Sequence, residues 1–161
     1  MRERYTNECK IIQQNCVYSA EAHHTIANKN KRLSTWLQLI PAVIAALSGV
    51  LVAGSIIPVW FGWLTVGSAI ITAVASVLNP LKEHYDHLNA AKNFTVLKHE
   101  ARTLGDVFST RMDDNAFAVA VENLHQRYAD LVRFVPPTDN EAFGQARERI
   151  KAGVHKSDKL K

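Results

Sequence analysis

The sequence lacks charged side chains over a long central stretch. From Leu33 to Leu81 there is no Asp, Glu, Lys, Arg or His, although about a quarter of the residues of an average soluble domain are charged. The alternative interpretation is a soluble protein in which the two helices form a buried hairpin. In a chain of 161 residues, the remaining residues are too few to bury two such helices. The stretch therefore predicts two membrane-spanning helices.

Catalytic motifs are also missing. The sequence has no nucleophile motif, phosphate-binding glycine loop, metalloprotease helix or dinucleotide fingerprint, and its seven glycines are scattered. We expect no enzymatic activity and no cofactor. His84 and His87 are three residues apart, but no Cys or third ligand lies near them in the sequence, so we predict no metal site. His23 and His24 are adjacent and point in different directions.

The two cysteines do not indicate a disulfide. Cys9 and Cys16 fall on the predicted cytoplasmic side of the membrane, where thiols stay reduced. Their spacing of seven residues places both on one face of a helix, which predicts a packing role. The first thirty residues contain charges and no apolar core, so we expect no cleavable signal peptide.

The charge-free stretch divides into two helices. The first is predicted over residues 35–57 and the second over residues 61–78, with a tight turn at Pro58 and an end or kink at Asn79-Pro80. Trp36, Trp60 and Trp63 lie where aromatic rings prefer the membrane interface. The positive charges that flank the stretch are Lys29, Lys31, Arg32 and Lys82, and the turn has none. This distribution predicts that both termini are cytoplasmic.

Helical periodicity continues on both sides of this hairpin. Residues 1–32 are predicted to form a cytoplasmic amphipathic helix, 33–80 the hairpin, 81–153 a helical body and 154–161 a disordered basic tail that anionic lipid would attract. Asp113 or Asp114 can cap a helix that ends before Pro136. Thr138 and Glu141 form a capping box for a last helix with Phe143 and Ile150 on one side. A heptad seam is predicted to pair copies of the chain; its members are Phe117, Val121, Leu124, Tyr128 and Leu131.

Polar and small residues mark specific faces of the membrane helices. A hydroxyl and amide face on the second helix comprises Thr65, Ser68, Thr72, Ser76 and Asn79. It can line a pore between assembled copies, or its small polar side chains can simply let helices pack closely. On the first helix a small-residue face comprises Ala42, Ala46, Gly49 and Ala53, and Gln38 is expected at a helix contact, at a pore mouth or snorkelling to the interface.

The order of these features resembles the SLATT family. The segment YSAEAHHTIANKNKRLSTWLQLIP leads into the hairpin, and LNPLKEHYDHLNAAKNFTVLKHEARTL follows it. The family's spacing of His, Ala, aromatic, Leu and Glu is matched by His87, Ala91, Phe94, Leu97 and Glu100, and the resemblance covers about residues 7–135. It implies a bacterial conflict-system effector that permeabilises the inner membrane during infection, beside a nucleotide-second-messenger synthase or sensor.

The expected fold is therefore all-α, with a two-helix transmembrane hairpin and cytoplasmic amphipathic or coiled-coil helices on both sides. We expect a multi-pass protein of the bacterial inner membrane that forms homo-oligomers and permeabilises the bilayer. The resemblance implies that it does so in antiphage defence. Two helices cannot enclose a pore, so a channel requires several copies. The alternative is a membrane-anchored scaffold whose helical body recruits or restrains a soluble partner. No nucleic-acid partner is expected. The sequence leaves open the number of subunits, the activating signal and the ion selectivity.

Overall fold

A computed structural model describes the backbone of residues 1–53 and 60–153, and the side chains of residues 1–48 and 62–153. All regular secondary structure in these residues is helical, which confirms the predicted all-α class. In chain order the elements are α1 (Arg2–Ala53), α2 (Trp60–Leu78), α3 (Pro80–Asp106), a 3-10 helix (Phe108–Thr110), α4 (Asp114–Phe134) and α5 (Asn140–Lys151). The predicted turn at Pro58 and the predicted basic tail lie outside the described residues.

The chain divides into two compact units. Unit 1 consists of Met1–Ala27 together with the described residues from Tyr85 onward, and unit 2 is Asn28–His84. The first border falls inside α1 and the second inside α3. The charge-free part of α1 and all of α2 thus belong to unit 2, whereas the first half of α1, most of α3, and α4 and α5 belong to unit 1.

Helix α1 is continuous where the sequence predicted a change of element. It runs without a break through the predicted boundary at residue 32, because Lys29, Lys31 and Arg32 are good helix formers. Pro41 lies inside the helix, where it provides no N–H for the carbonyl group of Leu37. The boundary is a change of composition along one helix.

Helix α2 has almost the bounds that its sequence predicts. It spans Trp60–Leu78 and ends at Asn79, which has a positive φ of 41°. Asn is one of the few residues that adopts this left-handed conformation readily, and such a residue commonly ends a helix. α3 begins at the next residue with Pro80, whose fixed φ suits a first helical position. The predicted break at Asn79-Pro80 is confirmed.

Unit 1 is held together by a core drawn from three helices. Cys9, Ile12 and Cys16 of α1 are buried together with residues of α3 and α4; these are Phe94, Leu97, Ala101, Phe117, Val121 and Leu124. Burying a large apolar side chain contributes about 1.5–3 kcal/mol. Gly105 of α3 lies against α1, since a Cβ there would be 3.1 Å from Cys9 Cβ. The predicted packing role of the two cysteines is confirmed.

The ends of α4 and α5 are set by aspartates. Asp113 accepts a hydrogen bond from Ala116 N at 2.9 Å, which confirms it as the cap of α4. Asp139 accepts from Ala142 N at 2.6 Å and caps α5. The predicted capping box of Thr138 and Glu141 is wrong, because α5 begins one position later than that box requires.

The buried face of α5 also differs from the prediction. Ala142 and Ala146 are buried against Ala22 of α1, whereas Phe143 is 41% exposed. Phe143 therefore lies away from the packed side of this helix, whereas Ile150 is half-buried. The close contact of α1 and α5 explains the difference, because alanine methyl groups allow two helices to approach where a phenyl ring would separate them.

Candidate functional site

The hydroxyl face of α2 lies outside the packing of a single chain. Thr65, Thr72, Ser76 and Asn79 are exposed and Ser68 is half-buried. The half-buried positions of the helix lie on one side of it: Gly67, Ser68, Ile71 and Ala75. Ser68 alone of the predicted polar face thus reaches the packed side of α2.

Two of these hydroxyl groups are satisfied by the helix itself. Thr65 Oγ1 donates to Gly62 O at 2.7 Å, and Thr72 Oγ1 donates to Ser68 O at 3.0 Å. Such bonds to the preceding turn leave the oxygen lone pairs available to water or to another helix. The face can therefore lie against lipid at low cost, and it can also be wetted or paired.

The remaining exposed surface of α2 is apolar. Trp63, Val66, Ile70, Val74 and Val77 are between 47% and 85% exposed. In the described part of the chain, one helical stretch, Gly62–Thr110, contains a segment long and apolar enough to cross a membrane, and only 6% of that segment is buried. The core helix of a soluble protein would have most of such a segment buried.

The part of α1 in unit 2 has two opposite faces. Its less exposed residues recur at alternating spacings of three and four; they are Ser34, Leu37, Pro41, Ile44 and Ser48. Ala42 and Ala46, from the predicted small-residue face, are exposed. Gly49 and Ala53 lie outside the described side chains. The predicted small-residue face is therefore not the face through which unit 2 packs.

Gln38 finds its partner one turn back along α1. Its Nε2 donates to Ser34 Oγ at 3.1 Å, and Ser34 is 4% exposed. One N–H of the side-chain amide is thus bonded within the helix.

The predicted oligomer seam is part of the core of unit 1. Phe117, Val121 and Leu124 are at most 4% exposed, and the partly buried Tyr128 and Leu131 pack against the same cluster. Their partners are residues of α1 and α3 in the same chain. In the described residues the seam packs against helices of the same chain, and its last two members, Tyr128 and Leu131, stay partly exposed.

A buried histidine pair is the feature that sequence reasoning missed. His23 Nδ1 of α1 lies 2.9 Å from His87 Nδ1 of α3, and the two side chains are 2% and 4% exposed. The His23 ring also stacks on Phe94, with centroids 5.6 Å apart. One Nδ1 must carry a proton and the other must accept it, so the two Nδ1 atoms differ in protonation.

Burial disfavours the charged form of the His23 imidazole. The pKa of His23 is lowered to about 4, first by desolvation and then by the positive charge that His87 or His24 would carry. Helical spacing within α3 drew attention to His84 and His87, whereas the actual partner of His87 comes from a helix 64 residues earlier. No group of three or more metal-binding side chains occurs among the described residues.

A buried carboxylate and the two cysteines complete the interior of unit 1. Glu21 is 4% exposed, and its Oε1 lies 2.9 Å from Arg149 Nε of α5. Arg149 is therefore engaged in an ion pair with a helix of the same unit. Desolvation raises the pKa of the Cys16 thiol to about 12, so this thiol is a packing group and a poor nucleophile.

On the described residues the chain is an all-helical protein with one helix long and apolar enough to span a membrane. No family model, curated protein or solved structure matches it.

Proposed function

We propose that the chain is a membrane-inserted protein whose copies assemble and permeabilise the bilayer. In this proposal α2 and the unit 2 part of α1 form a transmembrane hairpin, and unit 1 lies in the cytoplasm with both termini. The absence of charge from Leu33 to Leu81 supports the hairpin. The exposed apolar side chains of α2 support contact with lipid.

The observation that carries the pore is the exposure of the hydroxyl face. Thr65, Thr72 and Ser76 are exposed in the single chain, so they are available to line a path between copies. Water can replace lipid along such a row when several copies surround it. Because the seam of α4 is used within unit 1, assembly must proceed through the hairpin or through other exposed surfaces.

The resemblance to the SLATT family suggests the biological setting of this activity. In that setting the protein is an effector of bacterial antiphage defence in the inner membrane. A nucleotide-second-messenger synthase or sensor, or another regulator encoded beside it, would provide the signal that starts assembly. The chain itself performs no catalysis in this proposal.

Controlled expression in bacteria tests the pore. Membrane potential and propidium uptake are followed for the wild type and for Thr72→Leu combined with Ser76→Leu, in the presence and absence of neighbouring genes. Both positions are exposed, so larger side chains fit without disturbing unit 2. We expect the wild type to depolarise the membrane and the variant to lose at least about tenfold in dye uptake, since an apolar constriction stops water and ions by dewetting.

The matched control also adds side-chain bulk, but on another side of α2. Val66→Leu combined with Val74→Leu changes two exposed apolar positions that carry no hydroxyl group. This control is expected to depolarise the membrane as the wild type does. If the hydroxyl-face variant stays fully active at equal protein level, the path does not run along Thr72 and Ser76.

A scaffold function is the second candidate, and one surface of unit 1 favours it. A groove of about 320 Å³ between α3 and α4 is lined by Val96, Leu97, Leu131 and Phe134, among others. Phe134 is 86% exposed and Val96 is 53% exposed. Exposed aromatic side chains beside a groove are typical of protein-binding surfaces. An intact membrane under every condition, with loss of a bound protein on Phe134→Ala, would favour this function.

A further inference from the structure

We propose that a groove on α1 binds the head group of an anionic phospholipid. The groove lies within unit 2 and has a volume of about 560 Å³; it is lined by Asn28, Lys31, Arg32, Thr35, Trp36 and Leu39. The inference rests on the proposed function, in which the hairpin is inserted in a membrane. It names the class of lipid that binds to the inserted protein.

The groove lies on the face of α1 that unit 2 leaves open. Asn28, Arg32, Thr35 and Leu39 are spaced by four, three and four residues, so they form one stripe along the helix. Thr35 and Leu37 are about 200° apart at 100° per residue. Since Leu37 belongs to the less exposed face of α1, the groove faces away from that packing and towards the surroundings of the protein.

The charges in the groove have no carboxylate partner. Among the ion pairs of the described residues, none involves the side chain of Lys31 or Arg32. Both side chains are exposed, and no acidic residue lines the groove. Two adjacent cations can bind a phosphate group through charge-assisted hydrogen bonds. The Asn28 amide can donate to the polar remainder of a head group, and Thr35 Oγ1, which donates to Lys31 O at 2.9 Å, can accept from a head-group hydroxyl.

The order of residues along the stripe follows the order of groups in a phospholipid. The cations come first, and then Trp36 and Leu39, which are 59% and 48% exposed. Exposed Ala42 and Ala46 continue the same face. A Trp ring suits the boundary between head groups and hydrocarbon, and the small residues after it leave space for an acyl chain. An acidic protein would match the cations but would gain nothing from this apolar continuation.

Lipid selectivity of the full-length protein tests this site. The protein is placed in nanodiscs of phosphatidylcholine with a minor fraction of phosphatidylglycerol, and spin-labelled lipids report which of the two is enriched at the protein. We expect phosphatidylglycerol to be enriched at least threefold over phosphatidylcholine around the wild type. Arg32→Gln is expected to remove most of this enrichment.

Lys82→Gln is the matched control, because it removes one exposed positive charge from the same boundary but outside the groove. The control should keep the wild-type enrichment, and equal losses in both variants would overturn the site in favour of diffuse surface charge. Enrichment that survives Arg32→Gln would overturn it as well. Soluble glycerol phosphate at millimolar concentration should not compete, and competition would show a site for free phosphate.

The same experiment separates this inference from the proposed function. A protein that enters nanodiscs without preferring phosphatidylglycerol contradicts the lipid site and leaves the membrane function standing. A protein that fails to enter nanodiscs contradicts both.

Discussion

At the scale of single residues, the contact between His23 and His87 links the stability of unit 1 to pH. The pair is buried between α1 and α3 at 2.9 Å, and Phe94 stacks on one of its rings. His23 cannot gain a proton there without burying a charge, and its pKa is lowered for that reason. The contact therefore holds the two helices together while His23 is neutral.

Acidification is expected to destabilise unit 1. The pKa of His23 is about 4 in the folded chain and 6.5 in its ordinary state, so the unfolded chain binds more protons between these values. The stabilisation is complete above about pH 6.5 and is lost as the pH falls towards 4, by about 3 kcal/mol in total. About 2 kcal/mol of this loss is expected between pH 7 and pH 5, and urea unfolding followed by circular dichroism at these two pH values measures it.

His23→Gln should flatten the pH dependence, because glutamine keeps a hydrogen-bonding group but does not titrate in this range. His99→Gln, at an exposed position of α3, should leave the slope as in the wild type. Equal slopes in all three proteins would show that the histidine pair does not control acid unfolding.

At the scale of elements, the start of α5 has two candidate capping residues, Thr138 and Asp139. Asp139 accepts from Ala142 N, whereas the sequence favoured Thr138. Asp139→Ala should therefore lower the free energy of unfolding by about 1 kcal/mol, the usual cost of losing an N-cap. Thr138→Ala should change it by no more than about 0.5 kcal/mol. Urea unfolding measures both losses. A larger loss for Thr138→Ala than for Asp139→Ala would show that Thr138 caps the helix, as in the capping box with Glu141.

Sequence patterns predicted the elements better than their partners. The bounds of α2, its end at Asn79 and the cap at Asp113 are local properties, set by composition, backbone conformation and one short hydrogen bond. The partner of a helix face is not local. A helix-packing seam is predicted by the spacing of Phe117, Val121 and Leu124. The spacing does not show whether the partner helix belongs to the same chain or to a second copy.

The same limit explains the errors at α5 and at the histidines. Large side chains are the usual guide to a buried face, and they pointed to Phe143, which is 41% exposed. The close approach of α1 instead selects Ala142 and Ala146. His23 and His87 are brought together only by the packing of α1 on α3, which no spacing within either helix contains.

At the scale of the whole molecule, unit 1 should depend on its intrachain seam. Leu124→Ala is expected to cost about 2–4 kcal/mol, since it leaves a cavity in the core. The buried thiols provide the readout, because a maleimide reaches Cys9 and Cys16 only when unit 1 opens. Labelling at pH 7.5 should be faster than in the wild type by about 30- to 1,000-fold.

Val119→Ala is the control for this change, as Val119 lies on the same helix and is 57% exposed. Its labelling rate should remain within about threefold of the wild type. If Leu124→Ala instead leaves labelling unchanged but separates copies of the chain, the seam acts between subunits.

The central claim is that copies of this chain open a polar path through a bilayer. The most direct test is release of a small trapped dye from liposomes that contain purified full-length protein, measured against protein density. We predict release that rises more steeply than linearly with density, because a single hairpin cannot enclose a pore, and that is lost with Thr72→Leu and Ser76→Leu. Liposomes that keep their dye at every density, with the protein inserted, would contradict the claim.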